Sequence, residues 1–315
     1  MHKIVTAALP LFFLCCGKIV SPPEPVVFQN NFAFDSVNVA KDYSLVPDTS
    51  IAPISVREAS GGVLATSFPH HVWLVNDSGD NASLYLVNCK TGKTTATLLI
   101  EGLVNMDWEE LTFFVSDNIP MLGIADVGDN LELREFVTVY TMKEPQEGSF
   151  DTLVSGVVNY VPEFLDSLRF TYSTGSRDVE AVFVDPVSEN WYFISKRESR
   201  NGLYELSKAS MGSGIIDTAQ LKGRFSLYLS TAADCRLLAN DSCPIILRNY
   251  DRILLWRRDQ NTSVIDIMQR EPELLPYGPR EPQGECLWLW PNGNYSTTSE
   301  ERQGIKAPIR TYRKG

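Results

Sequence analysis

The sequence predicts an all-β fold, a single β-propeller, and three observations carry that prediction. Short apolar runs rich in Val, Ile, Leu and aromatic residues alternate with Gly, Asn, Asp and Pro turn signals along most of the chain. An acidic residue opens a new group of such runs at Glu58, Glu110, Glu180, Asp234 and Glu285, at intervals of 52, 70, 54 and 51 residues. A period of this length, holding about four short strands, is that of propeller blades, which bury their sheet faces against one another.

The N-terminus precedes this pattern. Met1-His2-Lys3 gives a short basic start, and Ile4 to Cys16 an apolar stretch too short to span a bilayer, so residues 1–16 are predicted to be a signal peptide. Phe12-Phe13-Leu14-Cys15-Cys16-Gly17 resembles a bacterial lipoprotein signal with Cys16 as the lipidated residue; an ordinary secretion signal is the alternative. Residues 17–25, with Ser21-Pro22-Pro23-Glu24-Pro25, then form an extended tether, and 26–315 the propeller domain. The expected address is the cell envelope, as a periplasmic or outer-membrane lipoprotein that meets the membrane only through its anchor.

Val27-Phe28 and Phe32-Ala33-Phe34 suit one or two strands before the repeats. The first blade opens at Glu58 and continues through Val72-Trp73-Leu74-Val75, Leu84-Tyr85-Leu86-Val87 and Thr95 to Ile100. The second begins at Asp107-Trp108-Glu109-Glu110, turns at Ser116-Asp117-Asn118 and returns to Ala125-Asp126-Val127-Gly128-Asp129-Asn130. A long insertion follows, then blades starting at Arg177-Asp178-Val179-Glu180, at Thr231-Ala232-Ala233-Asp234 and at Gln283-Gly284-Glu285. The last group is too short for four strands, so an N-terminal strand is expected to complete it and close the ring. Five blades fit this count; six is the alternative if the insertion hides a degenerate blade.

In a propeller the first strand of each blade lines the central channel, so its acidic start faces one channel mouth. Glu58, Asp77, Asp178, Asp234 and Glu300 are expected on that face, with Asp107, Glu110, Asp126, Asp129 and Asn130 as candidate metal ligands. Converging carboxylates repel, and either cationic partners or a bound ion must compensate. Calcium, which takes six to eight oxygen ligands, is the candidate cofactor. Lys196 and Arg248, with Glu180 and Glu285, are the candidate catalytic set. The competing reading of each residue is structural, since Asn-Asp and Asp-Asn pairs shape turns.

A net charge of −11 excludes a nucleic-acid surface, which needs a basic stripe. Histidine occurs only at positions 2, 70 and 71, too few for a histidine metal site. Cys235 and Cys243, eight apart across a turn, are the candidate disulfide of an exported chain. The six tryptophans fall in or beside strands and are read as core.

The succession Glu58-Ala59-Ser60-Gly61, Asn76-Asp77-Ser78-Gly79, Asp107-Trp108-Glu109-Glu110, Gly128-Asp129-Asn130 with Arg134, Arg177-Asp178-Val179-Glu180-Ala181, Ser195-Lys196, Arg248-Asn249-Tyr250 and Gln283-Gly284-Glu285 resembles a group of exported bacterial β-propellers. More distantly it is similar to phytase-like and esterase-like propellers. That second resemblance implies calcium at the channel mouth and a phosphate ester as ligand. Two functions follow as expectations for a monomer: a metal-dependent phosphoesterase acting on a small molecule, or a noncatalytic surface module that binds a glycan or protein.

Overall fold

The computed structural model describes residues 26–50, 56–151 and 156–315, so the signal, the lipidation residue Cys16 and the 17–25 tether lie outside the described residues. Two short strands, β1 (Phe28–Asn30) and β2 (Asp48–Thr49), come first. Then follow β3 (Ala59–Leu64), β4 (His71–Asn76), β5 (Ser83–Asn88) and β6 (Thr94–Ile100), an antiparallel meander. The next is β7 (Trp108–Ser116), β8 (Ile119–Asp126) and β9 (Val137–Lys143).

The long insertion supplies β10 (Val157–Tyr160) and β11 (Leu165–Tyr172). Neither starts a sheet of its own: β10 lies parallel to β6 and β11 antiparallel to β9. A third meander is β12 (Val179–Val184), β13 (Trp191–Ser195), β14 (Gly202–Leu206) and β15 (Ile216–Phe225). Parallel pairing of β15 with β11 merges it with the second meander, and β1 adds to the far part of β15. A Cβ on Gly223 would sit 2.1 Å from the Phe28 ring, so glycine there lets β1 lie flat on its partner.

The fourth meander is β16 (Ser230–Cys235), β17 (Ile245–Asn249), β18 (Ile253–Trp256) and β19 (Glu273–Leu275), with the short helix α1 (Val264–Met268) capped by Ser263. The last is β20 (Cys286–Leu289), β21 (Tyr295–Thr298) and β22 (Arg310–Tyr312), and β2 pairs with β22 as its fourth strand. Among the described residues no helix is long and apolar enough to cross a membrane.

The class is therefore all-β, and its meanders pack as propeller blades do. β7 lies beside β3 and β12, and β16 beside β12 and β20. Core clusters lie between successive sheets: Trp73 and Leu84 meet Trp108 and Leu122, Phe183 and Leu203 meet Ile245 and Trp256, and Leu74 meets Trp288. Trp73, Trp108, Trp191, Trp256 and Trp288, one in each meander, are fully buried, the core role expected of them. A buried aromatic removes a large apolar area from water, and burial contributes about 25 cal/mol per Å².

The candidate disulfide is corrected: Cys235 and Cys243 are both free thiols. β16 pairs Cys235 with Ile245, two residues past Cys243, and the Cys235 Sγ faces the Cys243 carbonyl. Burial pushes the Cys235 thiol well above its usual pKa.

Candidate metal centre

Four of the five inner strands carry a β-bulge at the same place. The register of β3 on β4 shifts between Ala59 and Gly61, that of β7 between Trp108 and Glu110, that of β12 between Val179 and Ala181, and that of β16 between Ser230 and Ala232. The extra residues are Ser60, Glu109, Glu180 and Thr231, and Glu285 occupies the matching position just before β20. A bulge re-aims one side chain without moving the rest of its strand. Ser60 and Thr231 use the new direction to donate to the carbonyls of Trp108 (2.6 Å) and Gly284 (2.8 Å) on the neighbouring inner strands. The three glutamates turn instead toward one another at the channel mouth.

There they meet the acidic residue two positions earlier in the second and third meanders. One carboxylate oxygen from each of Asp77, Asp107 and Glu109 lies within 4.8 Å of the other two, and the same holds for Glu109, Asp178 and Glu180. Calcium–oxygen distances are about 2.3–2.6 Å, so ligands across one ion stand about 5 Å apart, and this spacing fits. Glu109 belongs to both groups. Gly128 makes the approach possible, since a Cβ there would come within 2.4 Å of both Asp107 Oδ2 and Glu109 Oε1.

The electrostatics are those of an under-compensated anionic site. Burial, then the charge of Asp77, pushes Asp107 up to about 6. Burial raises Glu109 well above the carboxylate range, and Glu180, Asp77, Asp107 and Glu285 add to the shift. Glu180 is raised by burial and by Glu285, although Lys196 opposes this. Glu300 reaches about 9 through burial and the neighbouring Glu285. Two cations sit among these carboxylates. Lys196 contacts Glu180 and lies 3.7 Å from Glu285; burial disfavours its charge, but those two carboxylates raise its pKa. Arg197 Nε stands 2.6 Å from Asp178 Oδ2 as an ion pair outside hydrogen-bond geometry, and the same arginine donates to Asn130. Glu180 Oε2 is buried with no hydrogen-bond partner.

The structure sorts the residues singled out in the sequence. Asp77, Asp107, Asp178 and Glu180 converge, and Lys196 and Glu285 border them, with Glu285 accepting from the Tyr250 hydroxyl at 2.8 Å. Glu58 is exposed at the rim, and Glu300 is half-buried beside Glu285. The other four candidate ligands are engaged elsewhere. Asp126 pairs with Arg134 at 2.8 Å, Asp129 accepts the N–H groups of Leu133 and Arg134, and Asn130 takes its bond from Arg197. Glu110 is fully buried and accepts from the backbone N–H groups of Gly62, Leu111 and Ala233, reaching from β7 to both β3 and β16. Asp234 likewise accepts from Leu289 N–H at 2.8 Å.

Arg248 is fully buried and donates to Glu281, the Cys286 carbonyl and the Tyr277 hydroxyl. It lies beneath Glu285 rather than on the face. The residue that sequence reasoning passed over is Glu109. Its signal was the repeat Asp107-Trp108-Glu109 and Asp178-Val179-Glu180, an Asp-x-Glu at the same point of two successive meanders.

No family model matches the chain, and no curated protein matches it. Among solved structures it is similar to regucalcin from Agrobacterium tumefaciens, titled a calcium-binding protein, at 11% identity over 90% of this chain and 95% of that one, with a TM-score of 0.40. An auxiliary nutrient binding protein from Bacteroides thetaiotaomicron matches at 10% identity over 87% of this chain and 62% of that one, TM-score 0.42. Hydrazine synthase from Kuenenia stuttgartiensis matches at 11% over 79% and 58%, TM-score 0.38. The chain thus spans about three fifths of the length of these last two. Likenesses at these scores bear no weight for function.

Proposed function

We propose that this protein is an exported, lipid-anchored, monomeric five-bladed β-propeller that binds a divalent cation, calcium, at its acidic channel mouth and through it a small anionic ligand. The observation that supports this most is the pair of carboxylate triads sharing Glu109, with the buried Glu180 Oε2 left without a partner. A buried carboxylate oxygen without a hydrogen-bond partner is costly, and a cation removes that cost. Asp77, Asp107, Glu109, Asp178 and Glu180 would supply the oxygens. The five-blade reading rests on five meanders whose core clusters lie between successive sheets, with β2 completing the last.

In the catalytic form the ligand is a phosphate ester. A cation held there would supply a Lewis acid for a phosphoryl oxygen and for water. Arg197, with its side chain 41% exposed, would meet the ester oxygens, and Lys196 would stabilise developing charge. Arg248 acts as a positioning residue under Glu285, through the carbonyl of Cys286. A noncatalytic module for a glycan or protein is the second reading. It is favoured by the fact that Lys196 and Arg197 are already paired with the carboxylates of the face.

Thermal shift of the mature chain in millimolar CaCl₂ tests the site. The melting temperature is expected to rise with calcium, because a ligand bound only by the native state stabilises it. Glu109→Gln is expected to weaken binding roughly 10- to 100-fold. No shift at about 10 mM calcium would remove the metal reading. Calcium binding without hydrolysis of a phosphate-ester panel would select the noncatalytic module.

A further inference from the structure

The strands that carry the carboxylates at one end line a second cavity at the other. Phe113 and Phe114 near the end of β7, Val184 at the end of β12, and Leu237 and Pro291 just past β16 and β20 enclose 460 Å³ together with Arg236. That volume is within the range of about 300–1,000 Å³ for small-molecule sites. Glu109 and Phe114 are five residues apart on one strand, about 17 Å at strand rise, so the two sites sit at opposite ends of the inner strands.

Arg236 is the exceptional group in this cavity. It is 8% exposed, its Nη1 is fully buried without a hydrogen-bond partner, and it forms no ion pair among the described residues. The other deeply buried arginines each hold a carboxylate: Arg248 and Arg310 meet Glu281, and Arg258 meets Asp185. The acidic residues near Arg236 make their hydrogen bonds elsewhere, although the charges of Asp234 and Glu144 still favour its cationic form and Asp185 and Glu189 also line the cavity. Asp234 accepts from Leu289 N–H, Glu144 from Thr66 and the Trp73 indole, Asp185 from Arg258, and Glu189 from Lys208. The Arg236 guanidinium instead lies 4.6 Å from the centroid of the Phe113 ring, a cation–π contact that fixes its plane.

We propose that this cavity binds a small organic carboxylate with an apolar body, held by the Arg236 guanidinium and packed against Phe114, Val184 and Leu237. A guanidinium presents a planar fork that a carboxylate matches with two parallel hydrogen bonds. The ligand anion supplies the partner the fold withholds, and the apolar walls favour an alkyl or aryl body over a hydrated inorganic ion.

The experiment is calorimetric titration of the mature chain with octanoate, octanol and octylamine. Octanoate is expected to bind with a Kd near or below about 1 mM, and octanol and octylamine at least roughly tenfold more weakly. Arg236→Met is expected to cost octanoate roughly tenfold or more in affinity, leave octanol unchanged, and hold or raise the melting temperature, since it removes an unpaired buried charge. Equal binding of octanoate and octanol, no octanoate binding, or undiminished binding to Arg236→Met would overturn the proposal. So would a fall in the melting temperature of that variant, which would make Arg236 a structural residue. If Arg236→Met does not fold, the three-ligand comparison on the unaltered chain decides.

Discussion

Glu109 owes its place at the acidic mouth to one extra residue in β7. The sequence points to this stretch and to Glu110, whereas the carboxylate cluster takes Glu109, because strand alternation has period two and a bulge shifts it by one. Glu110 therefore lands in the axis, and its neighbour lands on the face. The consequence for pH can be stated with its sign. Burial and neighbouring carboxylates hold protons on Asp107 up to about 6 and on Glu300 up to about 9 in the folded protein, whereas in the unfolded chain both groups lose them near their ordinary values of 3.8 and 4.5. The native state thus binds more protons across that window, and stability present at low pH is lost as pH rises. The metal-free melting temperature is expected to fall between pH 5 and 9, and calcium to flatten that slope, because ion binding favours the deprotonated carboxylates. A melting temperature that rises across this range without metal would contradict the assignment.

At the scale of the strand, the outline was legible and the joints were not. Alternating apolar runs and turn residues locate the five inner strands, and a hairpin that returns to its starting face groups Asp126 and Asp129 with Asp107. β8 instead delivers Asp126 to Arg134, and the following loop closes on Asp129 through backbone N–H groups, contacts that no spacing reveals. Two glycines separate site from scaffold. A Cβ on Gly61 would lie 2.4 Å from Leu111 N and 2.5 Å from the Glu110 Cα, where β3 meets the backbone of β7. Gly61→Ala is expected to cost about 2–3 kcal/mol of stability, read by urea denaturation. Gly128→Ala meets carboxylate oxygens instead, so it is expected to lower calcium affinity roughly tenfold while changing stability by less than about 1 kcal/mol. Equal effects of the two on stability would show that the mouth and the frame are not separable.

For the whole molecule, the 70-residue interval read as an insertion adds strands to the first two meanders, with β10 on β6 and β11 on β9, and joins the second to the third through β11 and β15. The N-terminal part of the domain is tied in twice: β1 lies on β15, and β2 lies on β22, with Asn30 donating to the carbonyls of Met268 and Arg270. Cys16→Ser is expected to move the protein from the membrane fraction to the soluble fraction of fractionated cells. Retention in the membrane would refute the lipid anchor.

Glu110 gives the molecule a further property. Its carboxyl group, which burial raises well above the usual range despite its N–H donors, stands at full burial between β3, β7 and β16. A buried acid, rather than open space, therefore joins these three inner strands at that level. The carboxylate cluster and the cavity lined by Arg236 lie toward opposite ends of these strands, so substitutions at one end leave the other end's lining unchanged.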